Sequence, residues 1–302
     1  MNTFKNLAEY NKHWGFQAPL SKDFDIQKVH RSSDSYFAPM QSSAQRFFSL
    51  SVYEDLEIEI KNGFSKFRPK SPFVCTRVPH QIFSWQVKKG PVNGWILTFT
   101  ENFLIKHRLL NNIIQDFPFL RADNAGPFEV DNKNLPQLHL IFNTINNEYH
   151  SSAPDQLEMI ASQLYTLLMI LNRLFPEAKA RTEVVKLKES EMILFEKYLA
   201  LIAQSSPHSE NCKAATVSHF AEILSVHPNY LNAVVKNVSG CNALCFIHER
   251  ILNVAKTYLV QSNLSIKEIS YELSFNEPTH FGAFFKKYIG LTPVQFRKKV
   301  KL

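Results

Sequence analysis

This sequence predicts an α+β chain of more than one domain, on three observations. Period-two alternation and frequent prolines mark the first 150 residues, helical apolar spacing takes over from about residue 151, and the last third is wholly helical in pattern and basic. The expected organisation is a β-rich domain over 1–150, a helical linker over 151–182 and an all-α domain over 183–302. The last of these holds two helix-turn-helix units, at about 217–240 and 266–290.

The strands come first. "LEIEI" (Leu56 to Ile60) alternates and runs into "KNG", a turn signal before "FSKF". "FVCTRV", "QIFSWQV" and "GWILTFT", the last beyond the turn-forming "KKGPVNG", continue the pattern. Prolines at 69, 72, 79, 91, 118, 127 and 136 argue against long helices here. With 25 phenylalanines in 302 residues, aromatic burial should dominate a core. Several short strands filled this way predict a small barrel or a sandwich.

Two helices follow. In "SSAPDQLEMIASQLYTLLMILNRLF", Ser151 or Ser152 can cap, with Pro154 and Asp155 in the first turn. Leu157, Ile160, Leu164, Leu167, Leu168 and Leu171 recur at helical spacing, and Pro176 is expected to end the helix. The second, "KLKESEMILFEKYLALIAQ", has Leu187, Ile193, Leu194, Tyr198, Leu201 and Ile202 apolar. Their place between two charge regimes suits a linker or a dimer-forming helix; packing against the β domain is equally open.

Charge separates the regions. Of the formal +7, residues 211–302 contribute +6, with 11 Lys+Arg against 5 glutamates, while residues 1–210 hold 23 against 22. A basic domain joined to a neutral one points to a polyanion, nucleic acid ahead of membrane. No window has the apolar length of a membrane span and the N-terminus lacks a signal-peptide core, so a soluble cytoplasmic protein is expected. Cys75, Cys212, Cys241 and Cys245 complete no zinc set and read as reduced thiols. His80, His107 and His139 lie in no His-x-His pattern, so no metal, cofactor or catalytic residue is expected.

The informative feature is a repeat. "TVSHFAEILSVHPNYLNAVVKNVSG" aligns with "SIKEISYELSFNEPTHFGAFFKKYIG". Val217, Leu224 and Ser225 match Ile266, Leu273 and Ser274 at a spacing of 49. Beyond one inserted residue, Leu231, Lys236, Gly240 and Phe246 match Phe281, Lys286, Gly290 and Phe296 at 50. Each copy reads as helix, tight turn, second helix and glycine stop, the pattern in which a second helix enters a major groove.

Over about the last 90 residues the chain closely resembles the DNA-binding domain of AraC/XylS-type transcriptional regulators, through "RILNVAKTYL", "IKEISYELSF" and "FFKKYIGLTPVQFR". The resemblance implies two helix-turn-helix units bridged by one long helix and reading successive major grooves. It also implies that the preceding β-rich domain is a cupin-like barrel that senses a small molecule or mediates dimerisation. The implied protein is a sequence-specific transcriptional regulator and not an enzyme. Its partners would be promoter double-stranded DNA, RNA polymerase, a small-molecule effector and a second copy of itself, with no membrane. A non-specific DNA-organising protein and a cupin-type enzyme fused to a DNA-binding domain are the alternatives.

Helical spacing assigns the faces of the two second helices. Leu231, Val234, Val235 and Val238 point inward on the first, and Phe281, Phe284, Phe285 and Tyr288 on the second. Asn229, Asn232, Ala233 and Lys236 then face out, as do Thr279, His280, Ala283 and Lys287. The asparagines suit adenine edges, and Lys236, Lys286, Lys287 and Arg297 suit phosphates. Two positions depart from the family pattern. Leu273-Ser274-Phe275 stands where Leu-Gly-Phe is common, and Ala233 and Ala283 stand where an arginine is often offered to bases. An alanine methyl can touch a thymine methyl but cannot donate to guanine.

Overall fold

The computed structural model describes residues 2–31, 42–62, 65–121, 124–181, 184–186, 190–204, 216–239 and 241–300. The chain divides into two units, Met1–Met192 and Ile193–Leu302. Cys212, Leu187, Gly240 and the segment "SSPHSENCK" lie outside the described residues. Cys75, Cys241 and Cys245 form no disulfide.

The alternating segments of the first unit form strands. In chain order they are β1 (Asn2–Phe4), β2 (Phe24–Arg31), β3 (Ser43–Gln45), β4 (Phe48–Glu54), β5 (Glu57–Asn62) and β6 (Ser65–Phe67). Then come β7 (Phe73–Arg77), β8 (Phe83–Lys89), β9 (Val92–Phe99), β10 (Pro127–Glu129) and β11 (Val184–Lys186). They make two sheets, ordered β1-β3-β8-β5-β6-β11 and β10-β7-β4-β9-β2. Between the sheets Val29, Phe73, Cys75 and Ile96 meet Ile58, Ile60, Phe83 and Val87 in one apolar cluster.

The expected cupin-like barrel is not what these strands build. Among the described residues neither sheet closes: β1 and β11 are the edges of one, β10 and β2 of the other. A barrel needs hydrogen bonding that runs continuously around it, whereas this chain crosses repeatedly between two separate sheets, and two of the crossings are tight corners. Asp55, at φ 54, carries it from β4 to β5, and Gly90 from β8 to β9. The corners abut so closely that a Cβ at residue 90, where φ is +92, would sit 2.1 Å from the Asp55 carbonyl oxygen. Barrel and sandwich share one alternation pattern, and only the edge pairings separate them.

Helices cover the outer face of the five-stranded sheet, against the expectation that prolines exclude long helices before residue 150. They are α2 (Glu101–Lys106), α3 (Ile113–Asp116), α4 (Leu135–Tyr149) and α5 (Gln156–Arg181), while α1 (Leu7–Trp14) packs with Phe4 and Phe47 in a separate cluster. Pro136 lies in the first turn of α4, where its missing N–H costs nothing. Phe142 of α4 stacks on Trp95 of β9 at 6.0 Å, and Phe175 of α5 packs against Phe119 and Phe128. The predicted stripe of α5 is fully buried at Ile160, Leu164, Leu167, Leu168 and Leu171. Pro176 does not end that helix, which runs on to Arg181. Burial of Phe175 and Ala178 in the same core holds the turn on either side of the proline. Buried Asp25 of β2 accepts from Asn11 Nδ2 and from the Tyr149 hydroxyl, each at 2.8 Å, joining α1 and α4 to the sheet.

The second unit is helical: α6 (Ser190–Gln204), α7 (Val217–Ile223), α8 (Pro228–Ser239), α9 (Ala243–Gln261), α10 (Ile266–Glu272), α11 (Pro278–Ile289) and α12 (Pro293–Val300). The repeat is reproduced bond by bond. Thr216 caps α7 by accepting from His219 N–H, and Ser265 caps α10 by accepting from Glu268 N–H. In the first turn Leu224, Ser225 and Val226 donate to the carbonyls of Phe220, Glu222 and Ala221. In the second Leu273, Ser274 and Phe275 donate to Ile269, Tyr271 and Ser270, the same atoms 49 residues on. Ser225 (φ 55) and Ser274 (φ 62) both take the left-handed conformation. A glycine would take this angle more easily than serine, and both copies bear that cost. Proline opens each second helix, at Pro228 and Pro278. Packing offsets the turns: Phe281 and Phe285 are wholly buried with Leu252, Leu259 and Ile269, each large side chain contributing about 1.5–3 kcal/mol.

Two substitutions follow from this comparison of copies. Ser274→Gly relieves the left-handed strain and should stabilise the second unit by about 1 kcal/mol, read as slower hydrogen exchange in α10 and α11. Faster exchange would show that the serine is not strained. Ser270 is fully buried and its hydroxyl has no partner, while the first copy has Ala221 at that position. Ser270→Ala should therefore stabilise by about 1 kcal/mol, and a lowered denaturation midpoint would contradict that account.

Candidate nucleic-acid interface

Helix α8 buries Leu231, Val234, Val235 and Val238. Asn229, Tyr230, Ala233, Lys236 and Asn237 remain exposed. Shifted by the repeat spacing of 50, these five positions become Thr279, His280, Ala283, Lys286 and Lys287 on α11, and all five are exposed there too. The two faces thus correspond residue by residue. Each presents a central alanine, a lysine one turn further on, and polar or aromatic side chains at the start. Phe281 and Phe285 anchor α11 from behind.

Three residues behave differently from the helical-spacing assignment. Asn232 is half-buried, and its Oδ1 accepts from the Ala243 N–H at 3.0 Å. Ala243 is the first residue of α9, so this bond satisfies one of the free donors at that helix start. Tyr288 is 44% exposed rather than inward, and its hydroxyl lies 2.7 Å from His248 Nδ1 on α9. Burial, followed by the nearby Lys287 charge, lowers the His248 pKa, which keeps this ring neutral at physiological pH. Arg297 is half-buried; its Nε donates to Leu259 O at 3.1 Å and a terminal nitrogen to Leu264 O at 2.7 Å. It closes the carbonyl end of α9, where a cation is favoured.

Tyr230 and Asn237 were missed by helical spacing. The repeat itself carried the signal: mapping the outward set of α11 back by 50 residues selects both of them and replaces Asn232 with Tyr230. Asn232 instead aligns with Gly282, and both are half-buried.

The charge near these faces is mixed in a defined way. Lys236, Lys286 and Lys287 are exposed. Glu268 is tied back to the start of α10 by the Ser265 N–H at 2.6 Å, which lowers its pKa. Glu277 precedes α11 and accepts from the Thr279 hydroxyl at 3.3 Å. Among the described residues no three His, Cys, Asp or Glu side chains gather as a metal site, and no helix is long and apolar enough to cross a membrane.

Comparison with known proteins bears on this unit above all. Residues 220–299 match the helix-turn-helix domain model. The transcriptional regulatory protein YesN of Bacillus subtilis is 32% identical over 80 residues, which cover 26% of this chain and 22% of YesN. The raffinose operon transcriptional regulatory protein RafR of Pediococcus pentosaceus is 23% identical over 206 residues, covering 68% and 67%. Among solved structures, the C-terminal domain of the yesN response regulator of Fusobacterium nucleatum is 26% identical, with 34% of this chain and 96% of that one covered and a TM-score of 0.31. The chain spans well under half the length of the curated relatives that match through this domain alone. With its duplicated turn and these sequence matches, the last third of the chain is a tandem helix-turn-helix domain that resembles those of AraC/XylS-type regulators.

Proposed function

We propose that this protein is a transcriptional regulator that reads promoter DNA with α8 and α11. The observation that carries the reading is the residue-by-residue match of two exposed faces in the one basic region of the chain. In this reading Asn229, Tyr230 and Ala233 on one helix, and Thr279, His280 and Ala283 on the other, meet base edges. Lys236, Lys286 and Lys287 meet phosphates. The two alanines supply thymine contacts in place of guanine readout, which biases the site toward A·T. Asn232 and Arg297 act by position, holding the two ends of α9.

The first unit sets when the protein binds, through a small molecule in its interior, through dimerisation, or both. Sedimentation of the full chain at micromolar concentration tests the second route: a dimer is expected, and a monomer with full DNA affinity would remove dimerisation from the account.

Base and phosphate roles separate by experiment. A preferred duplex is first selected from a random pool with the full chain. Asn229→Ala should cost about 1–3 kcal/mol on that duplex and little on a scrambled one. Lys286→Ala should weaken both alike and reduce the salt slope by about 1. Asn232→Ala should also weaken both alike, because it loosens α9 rather than removing a base contact. Selection that returns no preferred sequence would make the protein a DNA-organising one instead.

A further inference from the structure

A cavity lies between the two sheets of the first unit, lined by α1, β2, β4, β5, β7, β8 and β9. The cavity volume is about 60 Å³, measured to the centres of water-sized occupants. That is a narrow slot, with space for about four to six water-sized occupants. Its walls are largely aromatic and aliphatic: Trp14 and Trp85, with ring centroids 5.9 Å apart, Phe83, Tyr53, Ile58 and Ile96.

Arg77 of β7 breaks this apolar lining. It is only 6% exposed. Its guanidinium lies 4.2 Å from the centre of the Phe83 ring, within reach of the Tyr10 hydroxyl, and one terminal nitrogen stands 3.4 Å from Ser43 Oγ. Its Nε is buried without a partner, and no carboxylate pairs with it among the described residues. The ionisable groups around it carry no compensating charge. Burial pushes the Cys75 thiol up to about 12 and raises the Tyr53 and Tyr10 phenols. An interior cation with no anion beside it carries a large desolvation cost. A planar guanidinium with a free N–H edge matches a carboxylate.

We propose that this cavity is a binding site for a small organic monocarboxylate with a slender apolar body, its carboxylate on Arg77 and its body along Trp14, Trp85 and Phe83. Arg31, the other guanidinium on the cavity wall, donates to the Trp14 and Gly15 carbonyls, so Arg77 is the group that matches one negative charge. The site rests on the regulator reading only for its consequence on DNA; the binding itself stands apart from it.

The test uses the full chain and three probes of one chain length: octanoate, octanol and octyl phosphate. Binding is followed by tryptophan fluorescence, since Trp14 and Trp85 line the cavity, and by the shift of the unfolding temperature. Octanoate should bind at least tenfold more tightly than octanol and octyl phosphate, and should raise the unfolding temperature. Arg77→Met should lose that advantage of at least tenfold while its affinity for octanol stays unchanged. Without ligand the variant should unfold at the same temperature as the parent or higher, because an unpaired interior charge is gone. Equal binding of acid and alcohol, stronger binding of the phosphate, or an unchanged octanoate affinity in Arg77→Met would each overturn the site. DNA affinity is measured alongside. Octanoate binding that leaves DNA affinity untouched supports the site and removes it from the control of transcription. DNA binding without octanoate binding overturns the site and leaves the regulator standing.

Discussion

The second unit depends on one hydrogen bond made twice. Val226 N–H donates to Ala221 O and Phe275 N–H to Ser270 O, closing the turn between the helices of each pair. That bond forms only if the residue before it adopts a positive φ, which Ser225 and Ser274 do. The angle at which α8 leaves α7, and α11 leaves α10, follows from it. So does the presentation of the five exposed side chains on each second helix. The strain in the serines is tolerated because Leu231 in one copy and Phe281 in the other lock the turn from inside.

The long helix α9 holds both copies, and its ends are secured by two side chains that the sequence reading offered to DNA, Asn232 by helical spacing and Arg297 by its charge. Asn232 reaches back to the first N–H of α9, and Arg297 reaches the Leu259 carbonyl in its last turn and the Leu264 carbonyl just beyond it. Tyr198 adds a third tie, donating its hydroxyl to Ala243 O at 2.7 Å from α6. Polar residues on a recognition domain thus divide into those that face outward and those that keep the frame rigid. Only the partners of each side chain tell the two kinds apart.

The first unit obeys a different constraint. Its five-stranded sheet is covered on one face by the second sheet and on the other by α4 and α5. Strands buried on both faces carry long apolar runs, as β7 and β9 do, and can give up few positions to charge. Arg77 is therefore an exception within its own strand, where Val74 and Phe73 are fully buried apolar residues. Asp25 shows how this interior treats a charge it needs for structure: Asn11, Gln27 and Tyr149 all donate to it.

Local chemistry in the sequence determined the segments of β5 to β9, the α5 stripe, the two helix-turn-helix units and the inward residues of α8, because each follows from periodicity, caps and turn signals over a few residues. Leu56 to Ile60, Ile160 to Leu171 and Leu231 to Val238 all carry their burial in their spacing. The resemblance of the last third to one regulator type was likewise legible, since its motifs are contiguous. Tertiary structure alone decided that the two sheets stay open rather than closing into a barrel, for that turns on which edges pair across corners such as Gly90. It alone carried α5 through Pro176, by packing the residues on either side into a core drawn from distant segments. It also placed Asn232 and Arg297 on the ends of α9 and Arg77 in the interior slot, because partners 11 to 38 residues away or on another strand leave no mark in local spacing.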